Sequence, residues 1–309
     1  MSELLANSKP DVVKELMVVY SKHLYDSFFR IHHINMPYVD VVFSEEGVIE
    51  VPFIKHFADL EILHLALKYY ADFSGLMSSL SGCKKLTELS FFGSLLREDN
   101  MAALAATLKN FTSLKILNLD RLIIVGAETA EMFAVSLGSL IFLEKLWLPL
   151  GPGMAHAAKL IIEQFRALPN LQFLVMKEIL DDASIALLGK VARDGFLKRL
   201  HNLELQSNYM ISESGWTTFF ETAADMPELT LLNLMRLEAF PIKSQATTVT
   251  SFVRFVSRMP SLITIWMMGW QLDKDDFSLF NNMKEKHPQS TSLEIIWQIP
   301  FPFTPNIEN

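Results

Sequence analysis

The sequence predicts an α/β solenoid, with parallel strands on a concave face and helices on a convex face. The pattern LxxLxL, or a close variant of it, recurs nine times, and the first residues of successive copies are 26 to 33 residues apart. Each copy is followed by a loop and a stretch with helical periodicity. Such a unit cannot bury its apolar faces alone, whereas stacked units can, and this favours a repeat architecture.

The strands are the most regular of the predicted elements. Within each copy the fourth and sixth residues are apolar and alternate with other residue types, as a strand with one buried face requires. We expect Leu117, Leu146, Leu174, Leu203 and Leu232 to be buried and stacked in register. The last copy departs from the pattern because Gln298 occupies its final position. The nine copies begin at Leu60, Leu86, Leu114, Leu143, Leu171, Leu200, Leu229, Leu262 and Leu293.

The helices follow the strands. Apolar residues spaced for one helical face run from Met101 to Leu108 and from Ala158 to Phe165. Ser212 is placed to cap the helix that contains Trp216. Proline ends a helix before the copies that begin at Leu171, Leu229 and Leu262, because it cannot continue the backbone hydrogen bonding.

The two ends of the chain differ from the repeats, so we predict three segments. Residues 1–59 form an N-terminal cap or an irregular first repeat, with a helix over Asp11–Tyr25 and strands over Val39–Phe43 and Val48–Phe53. Residues 60–299 form about nine repeats, and residues 300–309 form a proline-rich tail. The remnant of a preceding domain is an alternative interpretation of residues 1–59.

The pattern resembles the leucine-rich repeat, in the longer ribonuclease-inhibitor-like class that has an α-helix in each repeat. That family usually places Asn or Cys at the ninth repeat position, where the side chain binds loop backbone groups. Here only Asn208 fits, whereas Leu237 and Trp270 occupy the equivalent positions of the next two repeats. We therefore expect the side-chain ladder to be mostly missing.

Composition excludes several classes of protein. The 309-residue chain has a net charge of −8, so it lacks the basic surface of a nucleic-acid binder. It has no apolar stretch long enough for a membrane-spanning helix, and its N-terminus, with acidic residues around short apolar runs, is a poor signal peptide, so we expect a cytoplasmic protein. One cysteine, Cys83, rules out an intramolecular disulfide framework.

Catalytic and ligand-binding motifs are missing from the sequence. It contains no phosphate-binding loop, no GxSxG motif and no histidine or cysteine spacing typical of a metal site. We therefore expect no enzyme activity, no cofactor and no metal. Lys84 and Lys85 follow Cys83 and would lower a thiol pKa, but no histidine partner is identifiable. We predict a surface or half-buried cysteine.

The concave face is the candidate binding surface, because side chains between the strand leucines point toward it. It is apolar and aromatic in two zones, which are separated by a polar stretch. Large exposed aromatic surfaces usually mark a protein partner or a neighbouring domain; misassigned core positions are the alternative. The predicted contact residues are Trp147, Phe173, Val175, Asn202, Glu204, Gln206, Asn233, Met235, Trp266, Met268 and Trp297.

The repeats resemble those at the C-terminus of NOD-like receptors. The shared features are their length, their Phe- and Met-rich helices and the Pro-Asn-Leu segment at residues 169–171. The runs Phe91–Asn100 and Ile296–Phe301 most resemble the NLR family apoptosis inhibitory proteins. This implies a domain of a cytosolic innate-immune sensor, in which the repeats hold a nucleotide-binding module inactive and help to admit bacterial flagellin or secretion-needle protein.

The chain lacks that family's zinc-binding inhibitor repeats and its ATP-binding module, so on the family's logic it would neither inhibit caspases nor oligomerise by itself. The alternative function is a free-standing leucine-rich repeat inhibitor or adaptor protein. An enzyme is disfavoured.

Overall fold

The computed structural model describes residues 16–20, 38–43, 61–66, 77, 80–92, 98–120, 122–237 and 239–297. The chain divides into two compact units, Met1–Ile179 (the first unit) and Leu180–Asn309 (the second unit). In both units, the described helices lie between short parallel strands along the chain. Across the described parts, no helix is long and apolar enough to span a lipid bilayer.

The strands of the first unit pair in parallel and in chain order. One row of paired residues joins Leu63, Leu89, Leu117, Leu146 and Leu174, and the side chains of all five are fully buried. The predicted stacking of the leucines is therefore confirmed in this unit. The strands are β1 (Leu16–Tyr20), β2 (Tyr38–Phe43), β3 (Ile62–Ala66), β4 (Glu88–Phe92), β5 (Ile116–Asn118), β6 (Lys145–Trp147) and β7 (Phe173–Val175).

Strands β1 and β2 extend this pairing toward the N-terminus. Leu16 pairs with Val39, and Val39 pairs with Leu63, so both strands continue the parallel backbone pairing in register. The helix predicted over Asp11–Tyr25 is wrong at residues 16–20, because pairing in a sheet overrides a weak helical period in a valine-rich segment. The strand predicted at Val39–Phe43 is confirmed. The strand predicted at 48–53 and the tail predicted at 300–309 lie outside the described residues.

Three helices of the first unit pack side by side: α1 (Glu98–Leu108), α2 (Ala127–Leu137) and α3 (Pro152–Gln164). The apolar faces predicted for α1 and α3 are buried, as the helical periodicity indicated. Gly151 precedes α3 with φ 109°, and a Cβ built there would lie 2.4 Å from the backbone oxygen of Ile124. Glycine is therefore required at the turn that leads from β6 into α3.

The second unit repeats the same plan. Leu203 pairs with Leu232 and Leu232 pairs with Ile265, and all three side chains are fully buried. Its strands are β8 (Asn202–Glu204), β9 (Leu231–Asn233), β11 (Thr264–Trp266) and β13 (Glu294–Ile296), with a separate parallel pair β10 (Ile242–Lys243) and β12 (Trp270–Gln271). Its helices are α4 (Asp182–Arg193), α5 (Glu213–Thr222), α6 (Ala246–Ser257) and α7 (Lys274–Lys286).

Polar residues fix the helix starts of the second unit. The Asp181 side chain accepts a hydrogen bond from the Ser184 backbone N–H, and Ser212 caps α5 as predicted. The Asp182 carboxylate in turn accepts hydrogen bonds from the backbone N–H and the hydroxyl of Ser212, at 2.7 and 2.6 Å. The start of one helix therefore stabilises the start of the next.

The loops that follow the strands are held in a way that the sequence only partly predicted. Asn208 is buried; its Oδ1 accepts from the Leu180 N–H at 2.8 Å and its Nδ2 donates to the Leu205 carbonyl at 2.9 Å. In the following repeats Arg236 Nη1 donates to the Asn208 carbonyl and Trp270 Nε1 donates to the Leu234 carbonyl. Trp270 binds a backbone carbonyl from the ninth repeat position and Arg236 does so from the residue before it, so other donors supply loop hydrogen bonds in two repeats that lack the usual asparagine.

Candidate protein-interaction surface

Except for Trp297, the predicted contact residues lie along or just beyond the strands, on positions that alternate with buried core residues. We call the partly exposed positions the strand face of each unit. The side chains of ten of the eleven predicted residues are half-buried, whereas Val175 is buried. The half-buried residues are Trp147, Phe173, Asn202, Glu204, Gln206, Asn233, Met235, Trp266, Met268 and Trp297.

An aromatic pair dominates the strand face of the first unit. The ring centroids of Trp147 and Phe173 are 4.4 Å apart, and the ring planes are inclined by 31°. Beyond the ends of the strands, Lys177 Nζ lies 3.2 Å from Asp120 Oδ1, and both side chains remain about a quarter exposed. The surface thus combines an aromatic contact area, which costs little conformational entropy on binding, with a charge pair.

Val175 was expected on this surface, but its side chain is only 1% exposed, so that expectation is wrong. Val175 pairs in register with Trp147 and shares a strand face with Phe173. Trp147 and Phe173 therefore provide the accessible contact area in this part of the strand face, and Val175 does not.

The strand face of the second unit is organised in rows across its four main strands. One row pairs Asn202, Leu231, Thr264 and Glu294, and the next pairs Glu204, Asn233, Trp266 and Ile296. Gln206, Met235 and Met268 follow the strands. Every one of these side chains is half-buried or exposed. The face therefore presents leucine, isoleucine, methionine and tryptophan side chains to solvent among uncharged polar groups and two carboxylates.

Two amide side chains on this face differ in how they are bonded. Asn233 Oδ1 accepts a hydrogen bond from the Met235 backbone N–H at 3.1 Å, so this oxygen already has a partner two residues along the chain. Gln206 Oε1 is buried and has no hydrogen-bond partner among the residues that the structure describes. A buried acceptor without a donor costs free energy, and a donor that reached it would recover that energy.

Trp297 was predicted as an anchor of this surface, and the structure corrects that prediction. In β13 it is Ile295, not Ile296, that pairs with the core residue Ile265. The last strand is therefore one residue out of the register that the sequence pattern indicated, and such a slip exchanges the two faces of a strand. The Trp297 ring instead packs against Phe277 and Phe280 of α7, with centroid distances of 5.0 and 6.2 Å.

Several residues on and beside this face were missed by sequence reasoning. Ile296 takes the strand-face position that was assigned to Trp297. In the loops after β8 and β9, Met210, Leu237 and Phe240 are 78%, 53% and 56% exposed. The ninth-position residue Leu237 gave no usable signal, because Leu122 and Ile179 occupy the equivalent position of other repeats and are buried.

A buried cation lies beneath these loops. The Arg236 side chain is buried, its Nε donates to the Phe240 carbonyl at 3.1 Å, and its guanidinium carbon lies 5.3 Å from the Tyr209 ring centroid. Burial lowers the pKa of the Arg236 guanidinium. Arginine nevertheless stays charged in proteins, so the backbone carbonyls and the ring stabilise the cation in place.

Reactive chemistry is not apparent in the described residues. Among them, no three His, Cys, Asp or Glu side chains are grouped so that they could hold a metal ion. Cys83 is buried, which corrects the expectation of a surface or half-buried position, and burial raises the pKa of its thiol to about 11. The thiol therefore stays protonated at neutral pH, and the neighbouring lysines do not activate it.

The chain is similar to mouse and human proteins over nearly all of its length. It is 37% identical to baculoviral IAP repeat-containing protein 1f of Mus musculus over 301 residues, which are 97% of this chain and 20% of that protein. It is 40% identical to baculoviral IAP repeat-containing protein 1 of Homo sapiens, over 92% of this chain and 20% of the relative. The chain thus spans about a fifth of the length of these relatives.

A more distant similarity reaches NLR family CARD domain-containing protein 4 of Xenopus tropicalis, at 25% identity over 83% of this chain and 25% of that protein. The resemblance to the NLR family apoptosis inhibitory proteins is confirmed by these relatives. No family model matches the chain.

A solved structure supports the fold. A chain of the yeast structure titled "Crystal structure of Rad7 and Elc1 complex in yeast" superposes with a TM-score of 0.59 at 13% identity, covering 96% of this chain and 84% of that one. At this identity the similarity concerns the fold alone. It agrees with the predicted α/β leucine-rich repeat class, which is confirmed.

Proposed function

We propose that this chain is the non-catalytic protein-interaction domain of an innate-immune sensor of the NOD-like receptor type. The similarity to the baculoviral IAP repeat-containing proteins over nearly the whole chain supports the sensor assignment. The type of fold supports an interaction role, since repeat proteins present extended surfaces made of many strand positions.

The observation that carries this proposal is the composition of the two strand faces. Trp147 and Phe173 in the first unit, and Trp266 with Met235 and Met268 in the second, keep part of their apolar surface accessible on a rigid set of strands. Exposed aromatic and methionine side chains on a rigid scaffold are typical of protein-binding sites, where few residues contribute most of the binding energy.

Two partners of different origin fit this role in a cytoplasmic sensor. A neighbouring domain of a longer polypeptide would occupy the strand face at rest and keep the sensor inactive. A bacterial protein, flagellin or a secretion-needle protein, would contact it on activation. Loss of a resting contact raises signalling without ligand, whereas loss of a ligand contact lowers the response, so the sign of a variant's effect separates the two roles.

The test replaces the matched segment of mouse baculoviral IAP repeat-containing protein 1f with this chain and measures basal and ligand-induced inflammatory signalling. Trp147→Ala and Trp266→Ala are expected to change basal or induced signalling several-fold, because each removes a contact anchor. Lys190→Ala on α4 and Glu285→Ala on α7 serve as exposed helix-side controls. If strand-face variants and controls behave alike in both measurements, the proposal is wrong.

A further inference from the structure

Two carboxylates occupy opposite corners of the strand face of the second unit. Glu294 is exposed at the start of β13, and Glu204 is half-buried at the end of β8. Neither side-chain carboxylate has a hydrogen bond or an ion pair with any residue that the structure describes. None of the eleven side chains that make up this face, as described above, is cationic.

On the strand face of the first unit, Glu88 and Asp120 have ionic partners. Glu88 Oε1 lies 2.7 Å from His64 Nε2, and Asp120 lies 3.2 Å from Lys177 Nζ. These acids therefore have partners within their own unit. The contrast makes the two unpaired carboxylates of the second unit available to cationic groups from outside it.

The register fixes the distance and the surface between these carboxylates. Strands β8, β9, β11 and β13 are consecutive neighbours, and Glu204 lies in the row of Ile296, two residues beyond Glu294. Three strand spacings across the sheet and two residues along it separate the two corners by about 16 Å. The rows between them contain Leu231, Trp266 and Ile296. Asn233 and Thr264 lie in the same rows, so the face is a mixed centre of apolar and uncharged polar side chains with one negative charge at each end.

We propose that this face binds an amphipathic helix of a protein partner, with a lysine or arginine at each end of its apolar stripe. On a helix, residues eleven positions apart lie on one side and are separated by about 16 Å, which matches the spacing of the two carboxylates. The apolar side chains between them would pack on Trp266 and Leu231. Electrostatic complementarity of this kind selects the partner and aligns it.

This inference rests on the proposed function, because it assigns a chemical class of partner to one of the two proposed surfaces. Gln206 adds a further feature, since its buried Oε1 lacks a donor and lies two residues beyond Glu204 on the same face. A cationic end group that approached Glu204 would bring N–H donors close to this amide.

The test uses the whole chain and two designed helical peptides. One has lysines eleven residues apart, with leucines and phenylalanines on the same side between them; the other has glutamates in place of the lysines. Binding is measured by fluorescence anisotropy at low and at physiological salt. We expect the lysine peptide to bind more tightly, and Glu204→Gln and Glu294→Gln to weaken its binding about two- to fivefold each. The double variant Glu204→Lys/Glu294→Lys should prefer the glutamate peptide.

Glu285→Gln is the matched control, because it removes the same charge from the exposed surface of α7. Equal affinity for the two peptides, or no effect of the Glu204 and Glu294 variants, would overturn the charge selection. If the charge selection is absent in this way and Trp266→Ala weakens the binding of both peptides equally, the face is an apolar contact surface, as in the proposed function, but does not select partners by charge. Absence of saturable binding by either peptide overturns this inference, whereas the proposed function is decided by the signalling of the receptor variants.

Discussion

Strands β11 and β13 of the second unit each end near a tryptophan, yet the two side chains lie on opposite sides of their strands. Trp266 pairs with Asn233 and Ile296 on the strand face, and Trp297 packs on the phenylalanines of α7. The difference arises from a single residue. Leu262 precedes its core partner Ile265 by three positions, whereas Leu293 precedes Ile295 by two.

The comparison shows that adjacent residues of one strand can have different roles, one in the buried core and one on the binding surface. Adjacent residues of one strand, such as Leu203 and Glu204, differ completely in burial because side chains alternate between faces. A surface residue can therefore be identified only when the register of its strand is known. Each of the following predictions compares one residue from the buried set with one from the strand face.

The largest effect is expected at Leu203. Leu203→Asp would bury an unpaired carboxylate in the row of core leucines and should lower the free energy of unfolding by several kcal/mol, about 4. Glu204→Ala, one residue further along β8, should change it by less than about 0.5 kcal/mol. Urea denaturation followed by circular dichroism measures both. Similar losses for the two variants would contradict the assignment of faces.

The two tryptophans should differ by an intermediate amount. Trp297→Ala removes the ring that packs on Phe277 and Phe280 and should destabilise the chain by about 2–3 kcal/mol. Trp266→Ala removes a half-buried side chain that has no ring contact among the described residues, and should cost about 1 kcal/mol or less. The same denaturation experiment ranks them. A larger loss for Trp266→Ala would show that β13 has the register of the other strands.

The smallest effect is expected in the loop after β8. Asn208→Ala leaves the buried Leu180 N–H and Leu205 carbonyl without their partner and should cost about 1–2 kcal/mol. Asn202→Ala, on the strand face, is the matched control and should lie within about 0.5 kcal/mol of the parent chain. Equal stability of the two variants would remove the structural role assigned to Asn208.

The surface could be predicted from sequence where the repeat was regular. Trp147, Phe173 and Trp266 follow from the alternation of side chains in strands with the standard pattern. Val175 could not be assigned correctly, because its position in the alternation is that of an exposed residue and its burial is seen only in the folded chain. The prediction for Trp297 was wrong because Leu293 and Ile296 have the same spacing in the sequence as Leu262 and Ile265. In the sheet, however, Ile265 pairs with Ile295, one residue earlier.

The sequence by itself determined the repeat, the buried leucines, the helix faces and the capping role of Ser212, because these depend on periodicities and local hydrogen bonds. Only the tertiary structure decided how the missing asparagines are replaced. Arg236 and Trp270 reach carbonyls 28 and 36 residues away, and nothing in the local pattern indicates such partners. It also decided that β1 is a strand, since pairing with β2 stabilises an extended segment whose own spacing favours a helix.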